Sequence, residues 1–179
     1  MKEKLRLRFS TRDLILLALM AAIGLAVKPI VKPLTHLIST PLGIPGGTLT
    51  GGFYMMWLSL AVALVPRFGS ATLVGLLQGI IVLTGWFGSH GALSIVTYTL
   101  PGLLLDGVGL LYRRYSKLDG QMLYCVIANL TGTWLVGFII MRLPKAPLYI
   151  SLSMSIISGI IGGALSFLIY KELKRYRLI

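Results

Sequence analysis

Carboxylates are nearly missing from this sequence. Five Asp+Glu stand against seventeen Lys+Arg in 179 residues, a formal net charge of +12, and charged residues of all kinds make up only 12%. A soluble domain carries about a quarter. Too little polar material is present to cover a surface in water, and soluble enzymes are excluded first. Hydrophobic residues at 56% and a mean hydropathy of +0.86 place the chain among integral membrane proteins. In a soluble protein the basic excess would point to nucleic acid. Here the bases fall in short clusters between apolar runs, with no basic stripe carrying interleaved aromatics. That pattern fits cytoplasmic retention and contact with anionic lipid instead.

Other absences remove further classes. Cys125 is the single cysteine, so no internal disulfide forms. Only His36 and His90 are present, with no His-Glu-x-x-His, so no metal site is expected. No Gly-rich loop with a following Lys-Ser/Thr exists, so the chain holds no ATP of its own through a P-loop. A serine protease of the membrane would need a His on a span, and none is there. Lipid phosphotransferases need clustered Asp, whereas Asp106 is the one carboxylate well inside an apolar run. No catalytic residue is expected.

What is present is apolar length. A span takes about 20 apolar residues, and six segments qualify: 14–34, 48–65, 68–87, 92–112, 121–141 and 148–170. They predict an all-α membrane domain over 1–179, a six-transmembrane-helix bundle with no loop long enough for a soluble domain. A basic arm at 1–12 and a basic tail at 171–179 complete it, and the first run lacks the cleavage site of a signal peptide. Lys2, Lys4, Arg6, Arg8, Arg12, Arg67, Arg113, Arg114, Lys117, Lys171, Lys174, Arg175 and Arg177 share one side; only Lys28, Lys32, Arg142 and Lys145 fall on the other. The positive-inside rule then places both termini in the cytoplasm.

Ser10 and Asp13 make a capping-box pattern before the first helix. The first outer connection, from about Lys28 to Gly47, contains Pro29, Pro33, Pro41 and Pro45, then Gly46-Gly47. It reads as an irregular loop folded over the outer face, with poor helix until about Phe53. Pro101 predicts a kink in the fourth helix, and Asp106 a pairing with Arg113 or Arg114.

In the first helix Ala18, Ala22 and Ala26 recur every fourth residue, on one face, where small side chains admit another helix. Packing inside the bundle and docking of a partner both fit that spacing. Gly75 with Gly79, and Ser155 with Gly159 and Gly163, make similar faces and read as internal contacts. The opening Ser10-Thr11-Arg12-Asp13-Leu14, the Ala18-x-x-x-Ala22 face, the six short spans and both ends inside resemble the S component of an energy-coupling factor (ECF) transporter, the substrate-binding membrane subunit of vitamin importers. The Pro/Gly-rich first outer loop without an acid is most similar to the hydroxymethylpyrimidine/thiamine type. The resemblance implies that Ala18 and Ala22, with Ala26 as an extension, dock on a transmembrane coupling subunit (T component). It also implies that two cytoplasmic ATPase subunits use the ATP, leaving this chain without a cofactor.

The resemblance further implies an outer-half pocket formed by the last three helices. Mapped by topology, its candidates are Trp86 and His90 in the outer turn between the third and fourth spans, Thr97 and Tyr98 on the fourth helix, Asn129, Thr133 and Trp134 on the fifth, and Tyr149 and Ser153 on the sixth; Thr35 and His36 are lid candidates. Aromatic faces with a few fixed polar groups suit a flat heterocycle. Each has a second reading: Trp86, Trp134 and Tyr149 as interfacial belt, Asn129 as a bond between helices, His90 as a solvated turn residue. The outer half carries Lys28, Lys32, His36, His90, Arg142 and Lys145 and no acid, so the expected substrate is neutral or anionic, which argues against intact thiamine. The expected function is high-affinity capture of a small vitamin or precursor for ATP-driven import across a prokaryotic plasma membrane. The rivals are a membrane enzyme acting on lipid or peptide through Ser89-His90 or Asp106, and a structural membrane subunit.

Overall fold

The computed structural model describes residues 9–41, 44–85 and 91–176, apart from the side chains at 32, 34, 36 and 38. Six α-helices follow one another, with no strand among the described residues: α1 Thr11–Ser39, α2 Gly47–Leu64, α3 Ser70–Thr84, α4 Ser94–Tyr112, α5 Leu118–Trp134 and α6 Lys145–Arg175. A 3-10 turn, Gly91–Leu93, leads into α4, and a π-helical turn, Leu135–Ile140, extends α5. Five of the helices are long and apolar enough to cross a membrane, whereas α3 is apolar but has 15 residues. At about 1.5 Å per residue it rises only about 22 Å.

α2 is the hub, packing on α1, α3, α5 and α6, while α3 lies on α4 and α4 on α5. Successive helices reverse direction, which gathers alternate connections at one end. There the Arg67 guanidinium meets the Asp13 carboxylate at 3.0 Å, and the Tyr170 hydroxyl bonds Ser116 Oγ at 3.1 Å. This basic end carries the N-terminal start of α1, the α2–α3 turn, the α4–α5 loop and the end of α6. The apolar core lies in the same half: Leu17, Met20 and Ala21 of α1 pack on Leu58, Leu60, Ala61 and Val62 of α2, Val74 of α3, Leu105 of α4 and Tyr124 and Ala128 of α5.

The start of α1 follows its sequence signal. Asp13 accepts the Ser10 N–H at 2.8 Å, and Ser10 Oγ accepts the Arg12 N–H at 3.2 Å. The expected irregular loop from Lys28 is a correction: α1 continues helically to Ser39, through Pro29 and Pro33. Each proline removes one backbone donor, but both sit four residues apart on the exposed face, so the buried side keeps its ladder. In an apolar surround the remaining groups have no better partner than the helix itself. α2 likewise begins at Gly47, not near Phe53.

Gly51 and Gly52 lie inside α2 because neighbours occupy the space their side chains would fill. A Cβ at Gly52 would overlap the Ser158 carbonyl, and one at Gly162 the Gly52 carbonyl. At this crossing Ser158 Oγ accepts the Gly52 N–H at 3.0 Å and donates to the Leu49 carbonyl at 2.6 Å. Gly159 and Gly163 meet the α5 backbone at Val126 and Met122, and Gly75 meets that of α4 at Tyr98. These small-residue faces are internal contacts, as expected. α4 runs unbroken through the buried Pro101.

Asp106 is a second correction. Arg114 instead pairs with Asp119 at 2.5 Å, and Asp106 reaches across from α4 to the start of α3. Its carboxylate accepts the Ala71 N–H at 3.2 Å, the Thr72 N–H at 2.8 Å and the Thr72 hydroxyl at 2.7 Å. The first-turn donors of a helix have no partner of their own, and a carboxylate there also meets the favourable end of the dipole. Asp106→Asn, which turns an amide toward those donors, is expected to cost about 1–2 kcal/mol, read as a lower unfolding temperature of the purified chain.

Candidate functional site

The half of the bundle away from the basic end is built differently. None of the thirteen residues of the buried apolar core comes from it after Ala21 of α1 or before Leu58 of α2. Beside the buried Ile44, Met56 and Val82 stand polar and aromatic side chains aimed between helices. Lys28 projects from α1 toward α2 and α4. Its ammonium donates to the Tyr98 hydroxyl, lies 3.8 Å from the Tyr98 ring centroid and 5.4 Å from that of Tyr54. A cation over ring faces is attracted to their negative centres. One turn back on α1, Gly24 leaves room that the Gln78 amide of α3 and the Trp57 indole edge of α2 fill; a Cβ there would overlap Gln78 Nε2 and touch Trp57 Cδ1 at 3.4 Å. Gln78 Nε2 reaches the Ala21 carbonyl at a long 3.4 Å. Trp57 Nε1 is buried and has no acceptor among the described residues. Four helices thus contribute to one cluster: Gly24 and Lys28, Tyr54 and Trp57, Gln78, and Tyr98.

The other expected pocket residues do not join it. Thr97 is buried, but its hydroxyl bonds its own helix at the Ser94 carbonyl, 3.1 Å. Asn129 is fully buried and donates to the Ser155 carbonyl of α6 at 2.9 Å, while its oxygen lies where a Cβ of Gly51 would be. Its amide therefore ties α5 to α6 across a notch in α2. Thr133 is buried nearby on α5. Trp134, Tyr149 and Ser153 are exposed on the outside of the bundle. Trp134 is 44% exposed and stacks on the equally outward Phe138, centroids 5.3 Å apart, and Tyr149 is 65% exposed. Trp86 and His90, with Phe87 and Ser89, lie outside the described residues.

The lid expectation changes in kind. Thr35 lies within helical α1 and is buried, its hydroxyl bonding Thr50 Oγ1 at 2.9 Å and the Val31 carbonyl at 2.8 Å. His36 belongs to the same helix, and its side chain is outside the description. Sequence reasoning assigned Lys28 to a loop, and so missed it as an interior group; Tyr54 and Trp57 were missed as well. The available signal was their spacing of three on α2, which puts two aromatics on one face.

Ala18, Ala22 and Ala26 are all exposed, while Leu17, Met20, Ala21 and Gly24 point inward. The alanine face is on the outside of the bundle. Packing inside the bundle, one of its two readings, does not apply.

Among the described residues no three His, Cys, Asp or Glu come together as metal ligands. Cys125 is buried with its sulfur against the Gly52 carbonyl at 3.3 Å.

A family model described as the permease component of an ABC-type cobalt transport system matches residues 12–134. No curated protein matches the chain, and no solved structure matches it. The description speaks of cobalt, not of the hydroxymethylpyrimidine/thiamine type. The loop that suggested that type is helical from Lys28 to Ser39.

Proposed function

This chain belongs to the family of ABC-type cobalt transport permease components, and from that premise we propose that it is the substrate-binding subunit of an ATP-driven importer of the energy-coupling factor kind. The family implies work with ATPase and other transport subunits. The finer assignment is a transmembrane coupling subunit and two cytoplasmic ATPases, joined to a six-span chain with both termini in the cytoplasm of a prokaryotic cell. The basic end, with Arg12, Arg67, Arg113, Arg114, Lys117, Lys171, Lys174 and Arg175, faces the cytoplasm.

The single observation that carries the reading is the bare alanine face of α1. A helix surface against lipid is ordinarily filled by large apolar side chains. Ala18, Ala22 and Ala26 instead leave a flat strip on which a second helix can lie with close backbone contact. Their exposure in the isolated chain is what a docking face requires. Ala22→Trp is expected to abolish co-purification with the coupling subunit and the ATPases, together with uptake, and to leave the fold unchanged because the site points outward. Retained assembly in that variant would refute the docking face.

The cargo proposed is a small organic molecule of the vitamin or precursor class, neutral or anionic. A bare divalent cation as cargo fits the described residues poorly. It needs a group of strong donors such as imidazole, thiolate or carboxylate, and among the described residues no three His, Cys, Asp or Glu come together.

A further inference from the structure

We infer that the cluster of Lys28, Tyr54, Trp57, Gln78 and Tyr98 is a binding site for an aromatic anion: a flat ring bearing a carboxylate or a phosphate. The inference rests on reading the chain as a cargo-binding subunit, and it moves the site from the last three helices to the junction of α1, α2, α3 and α4. The donor inventory comes first. Lys28 offers an ammonium held over the Tyr98 ring at 3.8 Å and near that of Tyr54 at 5.4 Å. Trp57 Nε1 is donor-only, buried, and without an acceptor among the described residues. Gln78 Nε2 makes only a long bond at 3.4 Å. All three supply hydrogens: Lys28 already donates to the Tyr98 hydroxyl, and the buried Trp57 N–H, without an acceptor among the described residues, is the costly one. A ligand rich in acceptor oxygens relieves that cost.

The sequence supplies the sign. Its five acids are Glu3, Asp13, Asp106, Asp119 and Glu172. Asp13, Asp106 and Asp119 are engaged at the basic end with Arg67, with the start of α3 and with Arg114. From Leu14 to Leu105 the chain contains no carboxylate at all, and that stretch includes every residue of the cluster. The aromatic rings supply the shape. Tyr54 and Trp57 share one face of α2 with Tyr98 opposite on α4, which suits a planar group seated among rings with its charge at Lys28. Gly24 contributes by its missing side chain, since a Cβ there would force aside both Gln78 and Trp57.

The test is equilibrium binding to the purified chain in detergent, with benzoate and phenyl phosphate as probes, and benzamide, inorganic phosphate and cobalt(II) alongside. Saturable binding of either aromatic anion is expected, with benzamide and inorganic phosphate at least tenfold weaker. Lys28→Gln should weaken the anions at least tenfold, about 1.4 kcal/mol, and Lys28→Arg should largely restore them. Trp57→Phe, which keeps an aromatic ring and drops the N–H, is the second variant should Lys28→Gln fail to fold; it should weaken binding severalfold. The site is refuted if neither aromatic anion binds, if benzamide binds as well as benzoate, or if cobalt(II) alone binds. It is equally refuted if well-folded Lys28→Gln, or Trp57→Phe in its place, binds as the parent chain does. Co-purification with the coupling subunit separates the two levels. Failed binding with assembly intact removes the anion site alone, and failed assembly with binding intact removes the subunit reading.

Discussion

Gly52→Ala is expected to lower the stability of the folded bundle by about 4 kcal/mol, at the upper end of what one substitution does. The reason is the identity of the obstructing atom. The added carbon would fall on the Ser158 carbonyl of α6, a backbone atom that cannot rotate away as a side chain could. α2 and α6 must then separate. Overpacking costs about 1–3 kcal/mol. Separation also removes the Gly52 N–H to Ser158 Oγ bond at 3.0 Å, the Ser158 Oγ to Leu49 bond at 2.6 Å and the Cys125 contact with the Gly52 carbonyl at 3.3 Å. Interhelical bonds of this kind contribute about 0.6 kcal/mol each. Gly162→Ala strikes the same crossing from the other helix and should behave alike. Gly107→Ala is the control of opposite sign. Nothing lies within 4 Å of its added carbon, so the gain in helix propensity, about 0.5–1 kcal/mol, should raise the unfolding temperature. Thermal unfolding of the three variants in one detergent decides the matter; equal losses in all three would show that close approach is not the cause.

Gln121→Leu carries the second large effect, about 2–3 kcal/mol of lost stability. Gln121 is fully buried on α5 near the basic end. Its oxygen accepts the Ser59 hydroxyl at 2.7 Å and the Ser166 hydroxyl at 2.5 Å. Its amide donates to the Ser59 carbonyl at 3.1 Å and the Tyr115 carbonyl at 2.6 Å. One side chain therefore ties α2, α6 and the α4–α5 loop to α5. At about 0.6 kcal/mol per bond, four bonds account for roughly 2.4 kcal/mol. The stranded Ser166 hydroxyl adds a little more, since Ser59 can still donate to the Gln121 backbone carbonyl at 3.1 Å. Gln121→Glu keeps the shape and tests the chemistry. It sets a carboxylate oxygen against the Ser59 and Tyr115 carbonyls and should destabilise at least as much as Gln121→Leu. Unfolding temperatures matching the parent chain in both variants would show the network to be idle.

The comparison of sequence with structure turns on what a local pattern can carry. Hydropathy alone marks α2, α4, α5 and α6 to within a few residues, because apolar length is a one-dimensional property. The capping residues Ser10 and Asp13 are legible for the same reason. Glycine and proline misled the reading. Read locally, the Gly46–Gly52 run means loose chain; in the fold, Gly51 and Gly52 are where Asn129 and Ser158 press against α2. Pro29 and Pro33 mean an ended helix in water, but on the outer side of a long apolar helix they end nothing. That error hid Lys28, whose role depends on α1 continuing. Asn129 illustrates the limit from the other side. An amide inside a span announces a partner, and only the helix arrangement says that the partner is the Ser155 carbonyl of α6. Asp106 announced a partner in the same way, and the partner is the start of α3, not Arg113 or Arg114.

The unequal lengths of the helices bear on the lipid around them. α1 and α6 have 29 and 31 residues, and α3 has 15. α3 and α6 both pack on α2. At about 1.5 Å per residue, α6 is roughly twice as tall as α3. Hydrocarbon about 30 Å thick cannot match both. A bilayer that α3 crosses must thin beside it, where Ile80, Ile81 and Leu83 face outward, and the taller α6 must lean. Each ångström of mismatch costs a fraction of a kcal/mol, so the bundle's resting tilt is set by the membrane's thickness. A thicker bilayer would stand it upright at a cost, and a thinner one would let it lie over.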